Sequence, residues 1–236
     1  MQVLAIDCTA KSVSAAIAKD GSLVGSSFLN IPLTHSETLM PMVCELLKNT
    51  KLTLKDIDAF AVNSGPGSFT GVRIGISAIK GLAFEDKKPV FSYSALKSMA
   101  LGLSSINGLN ATVLCLMDAR CNQFYNAVFE IKGGKIKRIT EDRISVAKDL
   151  ENELQTLYNK DNVIYVGDGA KLFYNLAGAK YGALAPENLI YQNAVSIALN
   201  ASLREKENAL NPDEITPIYL RKSQAEREKE KNLKGE

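Results

Sequence analysis

A chain of 236 residues with 46% hydrophobic and 23% charged content can bury one large core or two small ones. Its formal net charge of +2 excludes the strongly basic surface by which a protein holds nucleic acid unaided, so any nucleic-acid role would come through a partner. The only histidine, His35, excludes a metal centre or proton relay built on two imidazoles.

Val3-Leu4-Ala5-Ile6 reads as a short apolar strand ending at Asp7. A polar turn, Cys8-Thr9-Ala10-Lys11, leads to an alternating run from Val13 to Ala18. Asp20-Gly21 is a hairpin signal, and Ser22 to Phe28 is the third strand. The period then changes. Thr34-His35-Ser36-Glu37 has the form of a capping box, and Leu39, Val43, Leu46 and Leu47 make an apolar helical stripe, broadened by Met40 and Met42. Pro41 inside this helix is expected to kink it.

The stretch around which the rest is organised follows. Ala59-Phe60-Ala61-Val62 reads as a buried strand, Asn63 to Gly71 as a glycine-proline turn, and Val72, Ile76, Ile79 and Ala83 as the stripe of a second helix. Pro89 to Ser92 is a strand and Ala95 to Leu103 a helix, and the turn-rich link at Asn107-Gly108 divides the chain.

The second half repeats the plan. Thr112 to Met117 is a strand ending at Asp118, with a polar turn, Ala119-Arg120-Cys121-Asn122, after it. Gln123 to Ile131 and Lys135 to Ile139 pair about Gly133-Gly134. A helix (Val146 to Tyr158), a strand (Val163 to Val166) ending in Gly167-Asp168-Gly169, a helix from Ala170, a short run Leu189-Ile190-Tyr191 and a helix from Ala194 to Arg204 complete it. Each half reads βββαβαβα, an internal duplication. The expected organisation is an N-terminal subdomain over 1–108, a C-terminal subdomain over 109–212, and a strap and charged tail over 213–236. Pro217 makes Ile215 to Arg221 an edge strand or a strap, and 222–236 reads as a solvated helix or frayed tail.

No stretch of about 18 apolar residues reads as a membrane span, and the N-terminus lacks the basic region of a signal peptide. Cys8, Cys44, Cys115 and Cys121 form no C-x-x-C and suit small core residues in a reducing compartment. The expectation is a soluble, cytoplasmic protein.

The glycine turn is no Walker loop, because Val72 rather than lysine follows Gly71, and its spacing departs from the dinucleotide fingerprint. Two readings stay open: a tight turn that needs unusual backbone angles, or an interaction element, with a phosphate site as the lesser reading. Gly71, Gly75 and Ala78 form a small-residue stripe on the following helix. Glycine there costs about 1 kcal/mol against alanine, so another backbone is expected to approach closely, whether internal or another subunit's. With the broadened helix before it, this points to a two-helix interface. Asp7 and Asp118 stand where actin-like and sugar-kinase-like ATPases place catalytic aspartates, yet neither following turn has the glycines of a phosphate hairpin. Gly167-Asp168-Gly169 is the best remaining nucleotide candidate. A Ser-His-Asp or Cys-His hydrolase would have to use His35, and no G-x-S-x-G elbow exists.

The run from Asn63 to Arg73 resembles the signature of the TsaB (YeaZ) family, the smaller relatives of the threonylcarbamoyl transferase TsaD. Asp7 at its strand end, His35-Ser36-Glu37-Thr38-Leu39-Met40-Pro41 and Tyr219-Leu220-Arg221 extend the resemblance over essentially the whole chain. It implies an α/β, actin-like (ASKHA), duplicated ribonuclease-H-like fold. It implies a non-catalytic scaffold in the formation of threonylcarbamoyladenosine beside the tRNA anticodon. The implied partners are TsaD, in a heterodimer, and TsaE on the assembled complex, with a homodimer open to the isolated chain and tRNA contacted indirectly. No cofactor is expected in this chain, ATP and a metal belonging to partner subunits. The region matching the catalytic relative's paired-histidine metal motif is Phe91 to Ser98, which has no histidine, so neither that metal chemistry nor the older description of the family as glycoproteases has support here.

The expected partner face comprises His35, Glu37, Leu39, Met40, Val43, Leu46, Leu47, Gly71, Val72, Gly75 and Ile79, and Gly75→Leu is expected to abolish pairing while leaving the monomer folded. Asp7, Thr9, Asp118, Gly167, Asp168 and Gly169 are the expected vestigial nucleotide site. The alternative is an ATP-dependent phosphotransferase of the acetate- or sugar-kinase type, with Asp7 and Asp118 at its metal-phosphate site.

Overall fold

A computed structural model describes residues 1–31, 34–157, 162–177 and 180–221. The proposed tail at 222–236 and the helix end at Tyr158 lie outside the described residues.

The first half forms a five-stranded sheet from β1 (Gln2–Asp7), β2 (Val13–Lys19), β3 (Ser22–Leu29), β4 (Ala59–Asn63) and β5 (Val90–Tyr93), in the order β3-β2-β1-β4-β5. β1 runs antiparallel to β2 and parallel to β4, with Leu4 beside Phe60 and Ile6 beside Val62. A central strand covered on both faces needs an unbroken apolar run rather than an alternating one, and β1 is buried along its whole length. α1 (His35–Thr50) and α2 (Phe69–Ala83) cover one face, packing Leu39, Val43, Leu46, Val72, Ile76 and Ile79 on Leu4, Ile6, Ile17, Phe60 and Val62.

The second half repeats the arrangement with β6 (Asn110–Asp118), β7 (Gln123–Lys132), β8 (Lys135–Arg138), β9 (Arg143–Val146), β10 (Val163–Val166) and β11 (Ala183–Leu184). Its order, β8-β7-β6-β10-β11, matches the first sheet strand for strand. The sequence reading lacked β9, which pairs with the part of β7 that β8 leaves free. α4 (Ala147–Leu157) therefore starts after Val146, which belongs to β9. Leu189-Ile190-Tyr191 forms no strand; the fifth strand is the two-residue β11, too short to leave a periodicity. Ile190 instead lies buried, and its carbonyl accepts from Gly167 N at 2.6 Å. α5 (Ala170–Ala177) follows β10.

α3 (Ala95–Ser104) and α6 (Ala194–Ser202) exchange sheets. α3 puts Leu96, Met99, Ala100 and Leu103 into the core of the second sheet. α6 puts Ala194, Ile197, Ala198 and Ala201 on the free face of the first, against Val3, Ala5, Ala16, Ala18, Ala59 and Ala61. Alanine on both surfaces lets helix and sheet close to a packed interior without a void. The packing thus crosses the division drawn at 108.

One local expectation changes, the capping box at Thr34. Thr34 caps α1 through its backbone alone, its carbonyl accepting from Glu37 and Thr38 N–H groups, with no side-chain bond. The helix runs through Pro41 and ends in a left-handed Lys51, where the Leu52 N–H reaches Leu47 O at 2.9 Å, a Schellman closure made without glycine. Residues 215–221 form no strand; they are a strap.

Candidate functional site

Asp7 ends β1 buried to 1% exposure. Its Oδ1 accepts from the Thr9 backbone N–H at 2.8 Å and the Thr9 hydroxyl at 2.7 Å. Its Oδ2 accepts from Asn63 Nδ2 at 2.7 Å. The same Asn63 amide reaches Ser98 Oγ at 3.0 Å, while Asn63 Oδ1 is buried with no partner. Burial raises the Asp7 carboxyl above its usual range; the bonds from Thr9 and Asn63, and the charge of His35, oppose that rise. Three donors from the chain itself thus reach the two carboxylate oxygens, two on Oδ1 and one on Oδ2.

The glycine turn is seated on this network. A methyl group at Gly67 would lie 2.2 Å from the Thr9 carbonyl oxygen, and one at Gly71 only 2.0 Å from that of Cys8. Ser68 N donates to Thr9 O at 2.7 Å, and Ser68 Oγ accepts from Gly71 N at 3.2 Å, capping α2. So the backbone that approaches the glycine stripe is internal, and Ser68 satisfies part of the helix start that could have met an anion. The strap closes the turn from above. Ile218 N donates to Ser64 O at 2.7 Å, and the Tyr219 ring stacks on Phe69 with centroids 4.4 Å apart. Arg73 Nε donates to the Tyr219 hydroxyl at 2.7 Å, its guanidinium lying over Phe69. Arg221 Nη1 then reaches Ala119 O in the second half at 2.7 Å.

The second half carries a looser copy of this site. Asp118 ends β6, and its Oδ1 accepts from Arg120 N at 2.7 Å, as Asp7 does from Thr9, but its side chain is exposed. Gly167 after β10 (φ +111°) matches Gly65 after β4 (φ +114°), both in a region that favours glycine. Gly169 sits against the Asp118 backbone. Asp168 Oδ1 accepts from Gln192 Nε2 at 2.7 Å, and burial, helped by the Asp118 charge, pushes its carboxyl up to about 6 against the bond from Gln192. Lys11 is close enough to oppose that shift. Of the six expected nucleotide-site residues, Asp118, Gly167, Asp168 and Gly169 therefore gather together, while Asp7 and Thr9 bind each other in the first half. Asn63, Gln192 and Lys11 escaped the sequence reading; Asn63 heads the glycine motif, but nothing around Gln192 marked it.

The expected partner face needs a correction. Leu39, Val43, Leu46, Leu47, Gly71, Val72, Gly75 and Ile79 are buried in the chain's own core. Their periodicity was that of a core stripe, which an interface stripe also has. A leucine at Gly75 would press on Cys8 and Val62, so Gly75→Leu strikes the fold before any partner. The exposed members are Glu37 and Met40, with His35 half-buried and its Nε2 3.2 Å from Lys11 O. Cys44 and Arg73 are exposed beside them on α1 and α2. The cysteines divide likewise: Cys8 and Cys115 are buried as expected, Cys44 and Cys121 are not. Among the described residues no group of three or more His, Cys, Asp or Glu side chains is placed to hold a metal, and no helix is long and apolar enough to cross a membrane.

Residues 32–229 match the family of tRNA N6-adenosine threonylcarbamoyltransferase, TsaD. The tRNA threonylcarbamoyladenosine biosynthesis protein TsaB of Haemophilus influenzae is 30% identical over 94% of each chain. The chain belongs to this family, in its TsaB branch. The TsaB of Escherichia coli is 40% identical, over 55% of each chain. A solved YeaZ structure from Pseudomonas aeruginosa superposes with a TM-score of 0.76 at 25% identity, covering 93% of this chain and 99% of that one. The duplicated α/β fold is thus that of the actin-like (ASKHA) superfamily.

Proposed function

We propose that this chain serves tRNA threonylcarbamoyladenosine biosynthesis as a non-catalytic subunit that pairs with the TsaD transferase. The observation that carries this reading is the closure of Asp7: Thr9 and Asn63 take both carboxylate oxygens, and the strap covers the turn beside it. In this reading a residue so engaged serves the fold rather than phosphoryl chemistry. The docking face in this reading is the outward side of α1 and α2, with Glu37, Met40, Cys44 and Arg73 on it. TsaE joins the assembled complex, tRNA is met through the partner, and ATP and metal reside on partner subunits. The isolated chain forms a homodimer through the same face.

Met40→Arg tests the face. It places a charge on an exposed position without touching the core. Co-expressed with TsaD, the variant is expected to lose co-purification and modification of tRNA in a reconstituted reaction, with its melting temperature unchanged. Full pairing of the folded variant refutes the assignment of this face.

The phosphotransferase alternative keeps one observation in its favour: Asp118, and Lys11 from the first half, both lie close enough to Asp168 to shift its titration. It requires the isolated chain to bind Mg-ATP. Calorimetry is expected to record no binding, and a saturable isotherm lost in Asp118→Asn would reverse the choice.

A further inference from the structure

Three cations lie near one another around the start of α3, whose first residue, Ala95, donates to Gly65 O of the glycine turn at 2.8 Å. Lys97 stands in the first turn of α3, Arg138 ends β8, and Arg204 follows α6. Each guanidinium is fixed. Arg138 Nη1 binds Asp142 Oδ1 at 2.6 Å and lies over the Phe129 ring. Asp142 Oδ2 accepts from Ser94, the N-cap of α3, whose Oγ also accepts from Lys97 N. Arg204 lies over the Phe91 ring, and the Tyr93 hydroxyl on the same strand donates to Asn200 at 2.9 Å. Thus Arg204 is oriented by a neutral ring, and among the described residues neither Arg204 nor Lys97 has a carboxylate in ion-pair range.

Lys97 is the informative member. Burial of its stem, then Arg204 and Arg138, hold its ammonium below the usual lysine range. A cation at the positive end of a helix is unfavourable too. Three effects oppose the charge, and the one carboxylate of the cluster, Asp142, is taken by Arg138 and Ser94. The neighbouring β7–β8 hairpin adds to the excess. It sets Lys132 directly opposite Lys135, a like-charge cross-strand pair that weakens an isolated hairpin. Gly134 at its tip lies near the end of α3, so the two groups flank one helix.

We propose that Lys97, Arg138 and Arg204 form a phosphate-binding site around the start of α3, which takes the phosphodiester backbone of an RNA. Fixed guanidiniums suit phosphate oxygens geometrically, and lysine adds a mobile point charge. Lys97 and Arg204 are exposed, so the site is open enough for a polymer to cross it. No base-reading group is needed, because backbone contacts position without specifying. The choice of RNA over a free phosphate rests on the tRNA-modification reading above. It revises the sequence expectation that tRNA is met only through a partner. Two or three contacts are too few to hold RNA alone at physiological salt, but they add to a partner's.

The test is fluorescence anisotropy of a labelled tRNA transcript, titrated with the reconstituted pair over a salt series. Lys97→Glu is expected to weaken binding about threefold or more and make the slope of log K against log salt shallower by about one. With Arg204→Glu added, the loss reaches about tenfold and the slope changes by about two. Unchanged affinity and slope for folded Lys97→Glu overturn the site while leaving the scaffold reading intact. If the pair does not form, that reading fails, and the same titration on the isolated chain at about 50 mM salt, where few phosphate contacts suffice, decides the site. Inorganic phosphate that perturbs Lys97 with no effect of Lys97→Glu on tRNA binding marks a small-anion site and overturns the RNA assignment.

Discussion

The two strand-end turns of this chain share one backbone and differ in what fills them. In each half an aspartate ends the central strand and binds the N–H two residues on. In each a glycine with φ near +110° follows the next parallel strand. The first turn is closed: Thr9 and Asn63 satisfy Asp7, Gly67 and Gly71 bring α2 down onto the β1–β2 turn, and the strap lies above. The second is loose: Asp118 is exposed, and Asp168 is held by one amide and destabilised by burial. A duplicated frame thus tolerates two opposite uses of the same position, one as a structural knot and one as an open edge. The closed copy is where the fold is sensitive.

The largest effect that tests this contrast is steric. Gly71→Ala places a methyl group 2.0 Å from the Cys8 carbonyl oxygen, a backbone atom that cannot rotate away. Overpacking of this kind is expected to cost more than about 4 kcal/mol, read as unfolding or insolubility in a thermal melt. Gly81→Ala, in the same helix but with open space around it, is expected to be neutral or stabilising by up to about 1 kcal/mol. Equal tolerance at both positions would mean that α2 does not sit on Cys8.

Next comes the aspartate network. Asn63→Ala strips Asp7 Oδ2 of its donor inside the core and should cost about 3 kcal/mol at pH 7, the penalty for a buried carboxylate left half-satisfied. Asp118→Ala removes an exposed side chain with one backbone bond and should cost about 1 kcal/mol or less. Urea melts of the two variants rank the closed and open turns directly, and a reversed order breaks the comparison.

How much of this was readable beforehand follows from what each pattern encodes. The duplication was legible because Leu4 to Asp7 and Leu116 to Asp118 repeat an apolar strand ending in aspartate, and both central strands are buried on two faces. The glycine turn was legible as an organiser, since Gly67 and Gly71 have no other use so close together. Which surface the α1 and α2 stripes face was not legible. Leu39, Val43, Val72 and Ile79 have the same spacing whether they meet a sheet or another subunit, and only the position of Phe60 and Val62 beneath them decides it. β11, at two residues, is too short to carry a period, and the alternating Arg143-Ile144-Ser145-Val146 of β9 runs straight into α4 with no turn residue to set it apart. The strap was foreseen from Pro217, but its partners were not, because the stacking of Tyr219 on Phe69 and Arg73 joins residues far apart in the chain. Gln192 and Asn63 act through hydrogen bonds to residues far away in the chain, which leave no pattern at all.

The smallest effect separates the two turns by pH. Asp168 titrates near 6 in the folded chain, against about 4 for an unfolded aspartate. The folded state therefore holds the proton more tightly, and stability falls as pH rises from about 4 to about 6, staying lower above that. Asp168→Asn keeps an oxygen that can accept from Gln192 Nε2 and removes the buried charge. The substitution is expected to stabilise the chain by about 1–2 kcal/mol at pH 8, some 2–6 °C in melting temperature, and to have little effect at pH 4.5, where Asp168 is already protonated. Asp7, also raised by burial, is opposed by three donors, two from Thr9 and one from Asn63, so Asp7→Asn should destabilise at pH 8 because its new amide points a donor at a donor. Opposite signs for the same substitution at the two aspartates would establish the functional divergence of the turns. A common sign would show that Asp168 is as fully engaged in the folded chain as Asp7.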